Sequence, residues 1–179
     1  MHKITQLLHV LLFSFLLLTS QSAAAAEQEY ALKAGFLYNF ARYGEWHDSA
    51  LSPDKFVICS PDASFTETAK SVLNQRSVNK RPITIRHIQF ELEQVNQCQL
   101  LFISSASLSD WLSWQKQQDY IAENTMVVGE SKGLIEAGGH IRFFIASGKV
   151  RFEVSPQQLQ QSGITMSSKV LRLGRVLER

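Results

Sequence analysis

Short, unbroken apolar runs alternate along this chain with amphipathic stretches. The clearest run is Leu100–Ile103, which is bounded by polar residues, and a second is Phe56–Cys59. Such runs are typical of strands buried on both faces, as in a parallel or mixed sheet that helices cover. The pattern therefore predicts two interior strands around which the rest of the chain is arranged.

Further segments continue this alternation of strands and helices. Residues 83–88, which follow Pro82, and Thr125–Val128 predict two more strands. The predicted helices are Phe65–Gln75, capped by Ser64 and Glu67, and a helix that begins at Ser107 or Ser109. We expect a single α/β domain with a mixed sheet of about six strands flanked by helices.

The late part of the chain changes to a two-residue period. Residues 140–145 and Val150–Val154 flank a turn at Ser147-Gly148-Lys149, which predicts a β-hairpin. The Ser-Gly-Lys turn does not continue a phosphate-binding loop, because residue 143 is Phe where the motif requires Gly. No nucleotide site is expected there.

One long segment, residues 29–46, predicts a helix that is apolar on nearly all of its faces. Leu32, Phe36, Phe40 and Tyr43 mark one face, and Gly44 is expected to end the helix. Such a helix packs either inside its own domain or against a second chain. The sequence leaves both alternatives open.

The end of the chain is also apolar. Ser155-Pro156 opens a predicted helix over Gln157–Gln161, because Ser is a favourable cap and Pro suits the first helical position. Residues 168–178 predict a last helix that carries Val170, Leu171 and Leu173. These side chains pack either in the core or against a partner.

Residues 1–26 have the pattern of a secretory signal peptide. Leu7–Leu18 is mostly apolar, Ala23–Ala26 supplies the small residues of a cleavage site, and Glu27 would begin the mature chain. The apolar stretch is shorter than the roughly 20 residues that span a bilayer, which argues against a retained anchor. We expect a mature domain over residues 27–179, exported and not inserted in the membrane.

The charge balance is nearly neutral. The whole chain has 18 Lys and Arg against 16 Asp and Glu, and the leader holds one of the lysines and none of the acids. The mature chain therefore has 17 basic and 16 acidic residues, a net charge of +1. A nucleic-acid-binding protein would show a basic stripe, and none is present.

The chain has two cysteines, Cys59 and Cys98. In an exported protein they can form a disulfide. If their strands run parallel and in register, the two residues lie at opposite edges of the sheet, whereas a disulfide needs Cα atoms within roughly 7 Å. Either the strands are staggered, or Cys98 lies in a returning loop, or the thiols remain separate.

No residue pattern indicates catalysis or a cofactor. His47, His87 and His140 lie in separate segments, and none stands in a motif such as G-x-S-x-G or H-E-x-x-H. Two cysteines without a supporting histidine cluster do not make a metal site. We expect a protein that is not an enzyme and has no metal or cofactor.

The segment from Glu29 to Trp46 reads E-x-x-L-K-A-x-F-L-Y-N-F-A-R-Y-x-E-W, which resembles the start of the YfiR family of small periplasmic proteins. The resemblance continues through Cys59 and the Cys98-Gln-Leu-Leu-Phe-Ile-Ser segment. It extends over residues 138–141, 150–154 and 163–173, and so covers the mature chain in order. Some members carry a second cysteine pair that this chain lacks, so redox sensing through that pair does not transfer.

The resemblance implies a periplasmic repressor. Such a protein would bind the periplasmic sensor domain of an inner-membrane diguanylate cyclase and lower cyclic di-GMP synthesis and biofilm formation. It also implies a homodimer. The expected partner-binding residues come from the first and last helices: Leu37, Phe40, Trp46, Val170, Leu171 and Leu173.

A second hypothesis is a periplasmic small-molecule binding module. An open α/β sheet offers a crevice at its strand ends. Aromatic residues such as Trp111 or Trp114 would line it.

Overall fold

The computed structural model describes residues 25–47, 54–120 and 122–178. The expected signal peptide over residues 1–26 lies outside the described residues except for its last two positions, which are helical. Among the described residues, no helix has the length and apolar character needed to cross a membrane.

The strands are numbered in chain order. They are β1 (Gly44–Trp46), β2 (Phe56–Ser60), β3 (Ser77–Val78), β4 (Arg81–His87), β5 (Leu100–Ile103), β6 (Met126–Gly129), β7 (Ile141–Ala146), β8 (Lys149–Val154), β9 (Ile164–Met166) and β10 (Arg175–Val176).

The helices lie between these strands. They are α1 (residues 25–43), α2 (Ala63–Val72), α3 (Leu92–Val95), α4 (Leu108–Gln118), α5 (Pro156–Gln161) and α6 (Ser168–Leu171). A short 3₁₀ turn, Ser105–Ser107, leads into α4.

Eight strands form one mixed sheet in the order β10-β8-β7-β6-β5-β2-β4-β3. The strands from β4 to β7 across the centre are parallel, and β7 and β8 form the expected antiparallel hairpin. The predicted mixed α/β sheet with a late hairpin is thus confirmed. The extra strands β3 and β10 have two residues each, too few to show a period in the sequence.

Alternate residues of the central strands face two separate apolar layers. Phe56, Ile58 and their neighbours pack against α1 and α2, whereas Val57 and Cys59 pack against α3 and α4. Burial on both faces explains why β2, β5 and β6 read as continuous apolar runs. The sheet is therefore the middle of three layers.

Two local predictions are wrong. Asp62, not Ser64, caps α2, because its Oδ1 accepts a hydrogen bond of 2.9 Å from the Phe65 N–H. The expected helix over residues 168–178 stops at Leu171, after which the chain becomes strand β10 beside β8. Gly174 permits this path because it has no side chain, so its backbone can lie directly against the Phe152 ring.

Candidate interaction surface

Helix α1 is held on the sheet by an aromatic cluster. The Phe40 ring centroid lies 5.0 Å from that of Phe152 and 5.9 Å from that of Phe143, the register partner of Phe152. Phe36, one turn earlier, lies 5.8 Å from Phe152 and is only partly buried. The cluster fixes α1 over the β7–β8 hairpin and leaves one ring of it open to solvent.

Beyond this cluster the apolar surface continues to the tip of the hairpin. Ile145 pairs with Val150 two residues past the Phe143–Phe152 pair, and so on the same face of the sheet. Ile145 is 57% exposed, and Leu32, one turn before Phe36 on α1, is 49% exposed. Glu29 and Lys33 of α1 line the same small cavity as Ile145, which places this end of the helix beside the hairpin tip.

The residues after α6 border the same cluster. A Cβ built on Gly174 would lie 2.3 Å from the Phe152 Cε2 atom, so the backbone is in contact with that ring. Leu173 is 72% exposed, and Val176, opposite Val154 of β8, is also exposed. The segment that carries Leu173 and Val176 therefore borders the Phe152 ring, which Phe36 also contacts.

We call this surface the apolar edge. It consists of Leu32, Phe36, Ile145, Val150, Leu171, Leu173 and Val176. Monomeric proteins rarely leave large contiguous apolar patches exposed, and such patches often mark binding sites.

Charged residues fix the strand that borders this edge. Glu153 of β8 pairs with Arg142 (Nε to Oε1, 2.6 Å) and with Arg175 of β10. Burial alone would raise the pKa of Glu153, but hydrogen bonds and charge from the two guanidinium groups outweigh it and hold that pKa below its usual value. Both guanidinium groups also contact the Phe144 ring. The final strand is thereby tied to the hairpin.

A buried ion pair anchors the amino-terminal half of α1. The Lys33 ammonium lies 2.5 Å from Glu29 Oε1 and also binds Glu130, although Lys33 is only 3% exposed. Glu130 follows β6, and its other oxygen accepts a hydrogen bond of 2.7 Å from the Ser105 N–H. Helix α1 is therefore fastened to the carboxyl ends of β5 and β6.

Cys59 and Cys98 form a disulfide with their Cα atoms 5.9 Å apart. Cys98 precedes β5 in the turn that follows α3, where its N–H bonds to the Val95 carbonyl. Strand β5 is also staggered against β2, because its first residue, Leu100, lies opposite Ile58, the third residue of β2. Of the three alternatives that the sequence leaves open, the stagger and the returning loop both occur, and the separate thiols do not.

The structure distributes the six expected partner-binding residues over core and surface. Leu37, Phe40 and Val170 are buried, so their apolar character is explained by packing within the chain and their side chains are not offered to a partner. Trp46 was expected on the first helix but belongs to strand β1, because α1 ends at residue 43. Trp46 and Leu171 are half-buried, and Trp46 lies against Phe56. Leu173 is exposed, and its role in binding stays a prediction.

The edge also contains residues that the sequence did not single out as a surface. Leu32 and Phe36 belong to the same periodic series as buried residues, and Ile145 and Val150 belong to the hairpin pattern. Periodicity identified them as apolar but gave no sign that the described part of the chain leaves them uncovered.

Three of the five histidines lie within the described residues, and they contact different parts of the fold. His47 contacts Thr165, His87 contacts the Pro61 carbonyl, and His140 is buried. His140 Nδ1 accepts a hydrogen bond from the Val127 N–H, and its Nε2 lies 2.8 Å from Ser162 Oγ. Burial lowers the pKa of His140 to about 4, so the ring is neutral and serves as a buried hydrogen-bonding link.

No cluster of three or more His, Cys, Asp or Glu side chains suited to a metal ion occurs within residues 25–47, 54–120 and 122–178.

A family model described as YfiR/HmsC-like (DUF4154) covers residues 30–175, which is most of the chain. No curated protein sequence matches the chain significantly.

Proposed function

The chain belongs to the YfiR/HmsC-like family, and on that premise we propose that it is a periplasmic repressor of a membrane-bound diguanylate cyclase. At the level of the family, membership supports a regulator of cyclic di-GMP signalling. In the proposal, the mature chain binds the periplasmic sensor domain of an inner-membrane cyclase and lowers cyclic di-GMP synthesis and biofilm formation.

The apolar edge is the observation that carries the proposal. Leu173 and Ile145 are the two most exposed of its large apolar side chains. The buried core of a protein–protein interface is more apolar than the rest of the protein surface. The edge thus has the composition of a protein-binding site.

The charges beside the edge are mixed in sign. Glu29 and Lys33 line the cavity beside Ile145. Arg175 is paired with Glu153, and Arg151 alternates with Val150 along β8 and so lies on the opposite face of the sheet. We therefore expect the sensor domain to be recognised mainly by an apolar surface.

In this proposal, repression requires the protein to bind the inactive state of the cyclase sensor domain more tightly than the active state. A protein ligand shifts a two-state receptor only if it binds one state better than the other. A change from 1:99 to 99:1 requires about a 10⁴-fold preference for the inactive state. A rigid edge suits this task, and the Glu153 ion pairs and the Lys33 anchor keep its two sides in place.

The compartment is supported by two features. A disulfide between Cys59 and Cys98 is typical of an oxidising environment. The leader pattern over residues 1–26 predicts export, although it lies mostly outside the described residues. The proposal also includes a homodimer, which sedimentation equilibrium of the mature chain tests.

The decisive experiment is a calorimetric titration of the mature chain, purified from the periplasm in its oxidised form. The titrant is the periplasmic domain of a diguanylate cyclase encoded beside it. The proposal expects saturable binding, and it expects the mature chain to lower the activity of the full-length cyclase in membranes. Binding without any change in cyclase activity, or no binding, would refute it.

A further inference from the structure

A crevice lies at the carboxyl ends of β2, β4 and β5. Strand β4, which follows β2 in sequence, lies beside one edge of β2, and the later strand β5 lies beside its other edge. The strand order therefore reverses at β2. The connection after β2 runs through α2 on one face of the sheet, and the connection after β5 runs through α4 on the other. Open α/β sheets bind ligands where the connections diverge in this way.

The crevice has a volume of about 500 Å³, within the range of small-molecule sites. Each of the three strands contributes part of its wall. The lining residues are Pro61 and Asp62 after β2, residues 87–90 after β4, and Ser104, Ala106, Ser107 and Asp110 after β5.

The charged lining is acidic. Asp62 and Asp110 are its carboxylates, His87 is the other ionisable side chain in the lining, and no Lys or Arg is among the described residues that line it. Asp62 accepts one hydrogen bond at each oxygen, from the Phe65 N–H and from the Tyr30 hydroxyl, and so keeps further acceptor capacity. Asp110 is exposed in the first turn of α4.

Apolar groups form the rest of the wall. Ile88 is buried, and the Phe90 ring packs 5.5 Å from Trp111 and 6.0 Å from Trp114. The two tryptophans expected to line a cleft lie behind Phe90 in the core and are not part of the crevice surface. Phe90 and the two carboxylates line the same crevice. An organic cation bound there can gain from both the charge and the ring.

We propose that this crevice binds a small organic ammonium compound, an amine with an apolar body. The ammonium group lies between Asp62 and Asp110, and the apolar body lies against Ile88 and Phe90. This site is separate from the apolar edge and does not depend on the protein partner.

The Cys59–Cys98 disulfide holds one wall of the site. Ile88, Val95 and Cys98 belong to one buried cluster, and Phe90 packs against it. The segment from His87 to Cys98 is therefore fixed at both ends, by β4 and by the disulfide. Reduction of the disulfide is expected to weaken ligand binding because it frees the Phe90 wall.

The test is an NMR titration of the oxidised mature chain with phenethylamine, with phenethyl alcohol as a probe of the same shape and no charge. Saturable amide shifts are expected at residues 61–62, 87–90 and 104–110, with an affinity for the amine at least tenfold above that for the alcohol. Asp110→Asn is expected to remove that tenfold preference. Asp119→Asn, a change of the exposed acid at the other end of α4, is expected to keep it.

Three results would overturn the site. One is the absence of saturable shifts at roughly 10 mM amine, a concentration that detects millimolar binding. Another is equal affinity for amine and alcohol. The third is an unchanged preference in a folded Asp110→Asn variant, whose fold its own amide spectrum reports. Because no cyclase is present, each result leaves the proposed partner binding unaffected.

Discussion

Cys59 and Cys98 are bonded across two parallel neighbours, although Cys59 lies near the carboxyl end of β2 and Cys98 precedes the start of β5. The backbone makes this possible because Cys98 turns back over the α3–α4 face, where both sulfurs join the core of that layer. The disulfide thereby connects the central strand to the segment that forms one wall of the crevice.

Loss of this disulfide is expected to destabilise the domain. The bond closes a loop with a sequence separation of 39 residues, for which the chain-entropy model gives about 4 kcal/mol. Denaturation of Cys59→Ser/Cys98→Ser by urea measures the change. Reduced wild type serves as the control and should match the variant. A loss below about 1 kcal/mol would show that the disulfide does not stabilise the fold in this way.

His140 makes stability depend on pH. Burial lowers the pKa of His140 to about 4, below the ordinary value of 6.5. The stabilisation is therefore complete above pH 6.5 and is lost as the pH falls from 6.5 toward 4, because only the unfolded chain takes up the proton there. The free energy of unfolding that is lost over this pH range is about 3 kcal/mol.

The measurement compares urea denaturation of wild type and His140→Asn at several values between pH 7 and pH 4. The difference in free energy of unfolding between wild type and His140→Asn should shrink by most of that amount as the pH falls. His87→Asn, at an exposed histidine, is the matched control and should leave the wild-type slope intact. A constant difference for His140→Asn would contradict the account.

Removal of the Lys33 ammonium is expected to destabilise the domain by about 3 kcal/mol, since Lys33→Met leaves the largely buried Glu130 without its cation. Lys70→Met provides the comparison. Lys70 pairs with Glu67 at 2.8 Å on the surface, and its loss should cost less than about 1 kcal/mol. Thermal denaturation of both variants measures the contrast. Equal effects would mean that burial of Lys33 has no energetic consequence.

Gly174→Ala is expected to displace strand β10, because the added methyl would overlap the Phe152 ring. Overpacking of this kind costs roughly 1–3 kcal/mol. Hydrogen exchange at the Leu177 amide, which bonds to the Val154 carbonyl, reports the displacement directly. Gly35→Ala in α1 has no atom within 4 Å of the new methyl and should leave that amide protected.

The sequence predicts the layers of this fold well because strands that are buried on both faces appear as unbroken apolar runs. Leu100–Ile103 and Phe56–Cys59 are apolar at every position for that reason. The tail was predicted wrongly since the spacing of Val170, Leu171 and Leu173 also fits a helix. Contacts distant in sequence select the strand: Gly174 lies against Phe152, 22 residues away, and Arg175 pairs with Glu153.

The surfaces were less predictable than the core. Leu37 and Leu32 are both apolar residues of one helix, yet one is buried and the other is half exposed. Which face of α1 remains uncovered depends on how far the hairpin extends beneath it. Asp62 and Asp110 likewise come together only through the crossing of the chain at β2, which no local pattern reveals.

The central claim is that the apolar edge binds the cyclase sensor domain. It is tested most directly by titrating that domain with Leu173→Asp, Ile145→Asp and, as the matched control, Leu92→Asp. Leu92 is 48% exposed on α3, on the opposite face of the sheet. At least tenfold weaker binding, with unchanged melting temperatures, is expected for the first two variants, and wild-type affinity is expected for Leu92→Asp. Wild-type affinity for all three variants, in folded protein, would contradict it.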